Sequence, residues 1–332
     1  MYSYLLFNMR NNKRWPETGG DRYRALLEMT SWADQNGYSA VVFSEHHNMP
    51  DQFMSSPLTV SAAAASLTQK LQIYCSAILL PLYNPIRLAE ELALIDNIAQ
   101  GRFGVVAGLG YRHEEYELIG EDWQRRGRVL DEKLRVVIDA LSGRPASWNG
   151  QVFEPSIDCF SKHGPFIAVG GSSAAAARRA AEFDLPFWPP IADAGLIKDY
   201  NTECEKIGRT PKLMNAGEPP TIFISEDPER TWSEYGDHFL FEARQYAAQQ
   251  VGKQQSYVES RAVTISDLRS EGKYRIYTPD ECVEYINREN EGVVVQAPLI
   301  GGMPIEEGWK SISLYAEQVL PRLNSRRLKT GS

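Results

Sequence analysis

Cysteine is scarce and scattered. Four residues, Cys75, Cys159, Cys204 and Cys282, lie far apart in a chain of 332 and form no CxxC pair. That spacing supports neither a zinc site nor a disulfide framework and reads as the reduced thiols of a cytoplasmic protein. Long apolar runs are missing as well. No stretch is long enough to span a bilayer, and the N-terminal MYSYLLFNMRNNKRW has too short an apolar run for a signal peptide. Basic charge is not in excess: the formal net charge is −8, which gives nucleic acid and anionic membranes no bulk attraction. A clear GxGxxG is absent, so a nicotinamide dinucleotide fold is not indicated. The composition that remains, 43% hydrophobic and 23% charged, is that of a globular protein. The length suits one large domain over residues 1–332.

Apolar runs and helical stripes alternate along the chain. Strands are expected to start near residues 4, 40, 71, 103, 166, 185, 221 and 292. Helices between them take their starts from Asp21, from Ser56-Pro57 and from Asn84-Pro85. Asn149-Gly150 in WNGQVFEP predicts the turn of a surface hairpin. Residues 249–277 are polar, irregular and longer than a normal connection, and read as an insertion or lid. Eight strands alternating with helices predict a parallel sheet closed as a (β/α)8 TIM barrel with insertions. A doubly wound open sheet is the competing architecture.

The stretch AVVFSEHH, residues 40–47, is the centre of the chemistry. A buried strand there delivers a carboxylate and two imidazoles at its carboxyl end, where parallel α/β proteins build their sites. Alternation puts bulky Phe43 under the helices and turns Ser44 and His46 to the opposite face. His46 is therefore the candidate acid/base group, and His47 is assigned a structural place under the adjacent helix or on the rim. Gly170, Gly171, Ser172 and Ser173 end a strand and open a helix, a pattern that suits an anion such as phosphate. Gly108, Leu109, Gly110 and Tyr111 end another strand and are candidates to lie against a flat ligand, with Arg112 at the same mouth. Glu114 and Glu115 beside His113 lack the spacing of a metal helix, and no metal is assigned. The run 71–80 is too long for one straight strand and is expected to bend at the small residues Ser76 and Ala77.

SEHH, the helix-opening SPL, AILLP, NPIRLAEELALIDNIAQGRFGVVAGLG, IAVGGSSAAAARRAAEF and the C-terminal TPDECVEYI, GVVVQAP and LYAEQVLP together resemble the bacterial luciferase-like flavin monooxygenases. The resemblance covers almost the whole chain. It implies a (β/α)8 barrel that takes reduced FMN from a separate flavin reductase and uses O2 to oxygenate a small organic substrate. It implies that His46 acts beside the flavin, that Gly171, Ser172 and Ser173 hold the phosphate, and that Ser76 and Ala77 lie against the ring through a cis peptide bond. It also implies a homodimer through the apolar helices near residues 56–67 and 85–98. Relatives of this fold use a deazaflavin for hydride transfer, so that cofactor is the alternative. A flavin-binding protein without catalysis is a further one. The substrate pocket falls to loops near residues 48–55, 111–127 and 249–277.

Overall fold

The computed structural model describes residues 1–12, 15–214, 218–249 and 260–323. In chain order the strands are β1 (Tyr2–Phe7), β2 (Ala40–Phe43), β3 (Gln72–Leu79), β4 (Phe103–Gly108), β5 (Ala146–Trp148), β6 (Gln151–Phe153), β7 (Phe166–Gly170), β8 (Phe187–Trp188), β9 (Thr221–Ile224), β10 (Tyr274–Tyr277) and β11 (Val293–Gln296). The helices are α1 (Gly19–Gln35), α2 (Pro57–Leu67), α3 (Pro85–Ala99), α4 (His113–Ile119), α5 (Arg126–Leu141), α6 (Ala174–Glu182), α7 (Ala194–Lys206), α8 (Pro228–Gln249), α9 (Ile265–Glu271), α10 (Pro279–Glu289) and α11 (Ile305–Leu314).

Nine strands form one sheet in the order β10-β9-β11-β1-β2-β3-β4-β7-β8, and every pairing in it is parallel. Among the described residues no ladder joins the two end strands, so the observed architecture is an α/β sheet covered by helices. Alternation sorts its side chains. Leu5, Phe7, Val41, Phe43, Ile73 and Val105 enter the main core with helix residues such as Leu26, Leu88, Leu92 and Leu134. Leu6 and Phe223 turn to the other face, where they join a second cluster with Trp232, Phe239 and Met303. Phe43 thus lies under the helices, as the sequence predicts, and the C-terminal ends of the parallel strands share one rim.

Several local expectations change. Thr18, not Asp21, caps α1; its hydroxyl accepts from the Asp21 N–H. Ser56 makes no capping bond to α2, whereas Asn84 caps α3 through the N–H groups of Ile86 and Arg87. The hairpin β5–β6 forms with both Asn149 and Gly150 at positive φ, 51° and 75°, the backbone such a turn requires. Residues 265–277 are not irregular: they hold α9 and β10, and β10 pairs with β9 along four residues. The sequence missed them because YRIY is too short to stand out in a polar stretch. Residues 250–259 of the expected insertion lie outside the described residues.

Candidate active site

His46 follows β2 at the rim and is buried. Its Nδ1 lies 2.9 Å from Oε1 of Glu115, in the first turn of α4. The same oxygen accepts the His47 backbone N–H at 2.8 Å, and Arg112 Nη1 stands 3.5 Å away. Arg112 also donates to the His47 carbonyl at 2.8 Å. Burial alone would raise the Glu115 carboxyl. Hydrogen bonding to His46, His46's charge, the His47 N–H and Arg112 together hold it below the ordinary carboxylate range. Two aromatic edges fix the imidazole, with Tyr111 at 4.7 Å and Phe53 at 4.8 Å between ring centroids. Among the described residues, Nε2 of His46 has no hydrogen-bond partner.

Glu45 and His47 sit on the other side of the same turn. Glu45 is buried and accepts from Leu79 N–H at 2.8 Å and from the Tyr83 hydroxyl at 2.6 Å. His47 Nε2 reaches Glu45 Oε1 at 2.8 Å, and the His47 side chain is 26% exposed. The hydrogen bond to Glu45 raises the His47 pKa against the opposing effect of burial. Glu45 therefore ties the end of β2 to the end of β3, and His47 packs against it at the rim.

A buried polar group closes the other flank. Arg10, after β1, pairs with Asp51 and lies 3.8 Å from Glu242 of α8. Its guanidinium packs over Phe53 at 4.7 Å and Tyr246 at 4.6 Å. Asn8 donates to Glu242. Burial raises the Glu242 carboxyl despite Arg10. None of Asn8, Arg10, Asp51, Glu242 or Tyr246 stood out in the sequence. The one available signal was a charged residue just past a strand, at Arg10. The sequence points to Glu115 only as a metal ligand, because HEEYELI carries no signal of the helix that aims it at His46.

The Ser76–Ala77 peptide bond is cis, and the register between β3 and β4 shifts between Ser76 and Ile78. Ala77 stands against Gly108: a Cβ on Gly108 would lie 2.8 Å from the Ala77 Cβ, and one on Gly170 would lie 2.7 Å from Val106 Cγ1. These two glycines are therefore required by neighbouring strands. Gly110 and Gly171 have φ of 70° and 139°, backbone that side chains rarely adopt. Tyr111 meets His46, while Leu109 packs against the main core and its carbonyl accepts from Tyr116. Ser173 caps α6, accepting from the Ala176 N–H at 3.3 Å. Ser172 borders a cavity of about 260 Å³ lined also by Ile191, Asp193, Leu196 and Asp199. The helix amides and hydroxyls there suit an anion; the two carboxylates oppose one. Arg112 is engaged by His47 and Glu115 at the His46 end of the rim.

A planar, polar cofactor fits this rim on two observations. The Tyr111 hydroxyl and Glu115 Oε2 are buried without a hydrogen-bond partner among the described residues, and the amides of the first turn of α6 open beside Ser172.

The family model described as luciferase-like monooxygenase matches residues 3–295. An uncharacterized protein of Sinorhizobium fredii, y4vJ, is 22% identical over 96% of both chains. The monooxygenase RslO1 of Streptomyces bottropensis superposes with a TM-score of 0.74 at 21% identity, over 97% of this chain and 100% of that one. The oxygenating constituent of 3,6-diketocamphane monooxygenase of Pseudomonas putida, a type II Baeyer–Villiger monooxygenase solved with FMN, gives a TM-score of 0.68 at 19% identity, over 97% and 98%. The strand-end residues gathered around His46 and the match along nearly the whole chain lead to one assignment: the protein belongs to the luciferase-like monooxygenase family.

Proposed function

We propose that this chain is the oxygenating component of a two-component system, taking reduced FMN from a separate flavin reductase and using it with O2 to oxygenate a small organic substrate. One observation carries the reading. His46, the imidazole at the end of β2, is held at Nδ1 by Glu115 and packed by Tyr111, which leaves Nε2 for chemistry at the rim. When bound, the flavin supplies the electrons that let O2 react. In this reading eight of the nine sheet strands belong to a (β/α)8 barrel, and His46 accepts or returns a proton at Nε2 within its mouth. Ser76, Ala77, Gly108, Leu109, Gly110 and Tyr111 form the wall against the ring. Gly170, Gly171, Ser172 and Ser173, with the N-terminus of α6, hold the phosphate. Phe53, Tyr111 and Tyr246 keep water out of the same space.

The protein is proposed to be a cytoplasmic homodimer. Its four cysteines are free thiols, and among the described residues no helix is long and apolar enough to cross a membrane. Leu67, Leu94 and Ile98, on α2 and α3, are 48%, 52% and 39% exposed, an apolar surface that a second copy would cover.

Oxygen uptake with photoreduced FMN, set against hydride transfer from a reduced deazaflavin, tests the chemistry. Oxygen uptake coupled to an oxygenated product is expected. Hydride transfer without oxygen uptake would move the assignment to a deazaflavin oxidoreductase, and flavin binding without either reaction would leave a binding protein.

A further inference from the structure

We infer that Glu115 is the positioning residue that sets the tautomer of His46, so that Nδ1 carries the hydrogen and Nε2 presents its lone pair at the rim. The inference rests on the reading of His46 as the acid/base group. Its argument begins with hydrogen-bond capacity. An ionised carboxylate only accepts, and Oε1 of Glu115 already accepts the His47 N–H at 2.8 Å with the Arg112 guanidinium 3.5 Å away. The 2.9 Å contact between Oε1 and Nδ1 therefore requires the imidazole to donate there. A neutral imidazole has one hydrogen, so Nε2 is left as the acceptor.

Geometry makes Glu115 more than a neighbour. Oε1 is reached from His46 Nδ1 at 2.9 Å and from the His47 N–H at 2.8 Å, while Arg112 donates to the His47 carbonyl at 2.8 Å. Both polar groups of the His47 backbone are thus gripped from the start of α4, which fixes the chain beside His46, and a flip of the His46 ring would break its bond to Oε1. Glu115 is fully buried, so water does not replace a lost bond cheaply. The segment that carries Glu115 begins at the end of β4 and passes through Gly110 and Tyr111. The proposed flavin wall and the residue that orients His46 are in this way one continuous piece of chain.

A purely structural role for Glu115, such as balancing Arg112, would not depend on which nitrogen of His46 is protonated. Long-range ¹⁵N–¹H correlation spectra of histidine-labelled protein separate the two cases. The chain has five histidines, and His46→Gln assigns the signal. In wild-type spectra recorded up the pH scale until the His46 signal stops changing, the Nδ1–H pattern is expected for the neutral ring. Glu115→Gln, whose amide oxygen can still accept, keeps that pattern, and Glu115→Ala loses it in favour of Nε2–H. Turnover with reduced FMN is expected to fall in Glu115→Ala, by up to about 10⁴-fold, the loss that follows when the carboxylate fixing a catalytic histidine's tautomer is removed, with partial recovery in Glu115→Gln. An Nε2–H pattern in the wild type overturns the inference. So does an unchanged Nδ1–H pattern in folded Glu115→Ala. If that variant does not fold, the wild-type spectrum decides alone. Failure of the wild type to bind flavin would instead sink the functional reading, whatever tautomer His46 shows.

Discussion

Two adjacent histidines with opposite assignments give the sharpest tests at the level of single residues. His46 is buried against Glu115, Tyr111 and Phe53, and it is the one proposed to move a proton. Replacing it with Ala should lower turnover with reduced FMN by about 10²–10⁴-fold while leaving flavin bound; steady-state oxygenation and flavin fluorescence titration read the two effects separately. His47 should affect stability instead. Its pKa is raised by the hydrogen bond to Glu45, so the folded state prefers the protonated ring. The stabilisation is then fully present below the ordinary imidazole value of about 6.5 and is lost as pH rises through the raised folded value. The difference in unfolding free energy between wild type and His47→Ala, measured in urea at several pH values, should be largest near pH 6 and shrink above neutrality. A difference that grows with pH would contradict the His47–Glu45 pair.

At the level of elements, the rim is made by strand ends and helix starts acting together. β2 brings His46, α4 brings Glu115, β3 brings the Ser76–Ala77 step, and the turn from β7 to α6 brings Ser172 and Ser173. The last of these can be tested against its own ambiguity. Ser173 spends its side chain on capping α6, and Asp193 and Asp199 share the cavity beside Ser172. If helix amides nevertheless hold the phosphate, replacing Ser172 and Ser173 together with Ala should weaken FMN binding far more than riboflavin binding, since riboflavin lacks the phosphate. Equal losses for both, read by fluorescence quenching, would put the phosphate elsewhere. Loss of the Ser173 cap should in either case cost about 1 kcal/mol of stability, which denaturant unfolding would register.

For the whole molecule, the exposed apolar residues on α2 and α3 lie on two consecutive helices that pack against each other and against the sheet. A homodimer through this face should appear as twice the chain mass in sedimentation at micromolar concentration. Leu94→Lys combined with Ile98→Lys should return the mass to that of one chain without loss of helical content. A wild type that sediments as one chain would remove the dimer from the proposal.

The sequence by itself determined the repeating order of strands and helices, because apolar alternation and capping residues are local signals. It determined the face on which Phe43 lies, since a strand allows only two, whereas His46 falls beyond the end of β2. The resemblance placed the cis bond at Ser76–Ala77, and the structure has it. Local signals failed where an element was short or its partner distant. β10 is a strand because β9 offers it a ladder, and HEEYELI is a helix that seats Glu115 under His46, 69 residues away in sequence. Only the tertiary structure decided that Arg10 would be buried between two aromatic rings and two carboxylates. Only packing decided that Gly108 and Gly170 answer to their neighbouring strands. Such contacts join residues that share no period or motif, and burial turns their charge and shape into requirements that a linear reading cannot express.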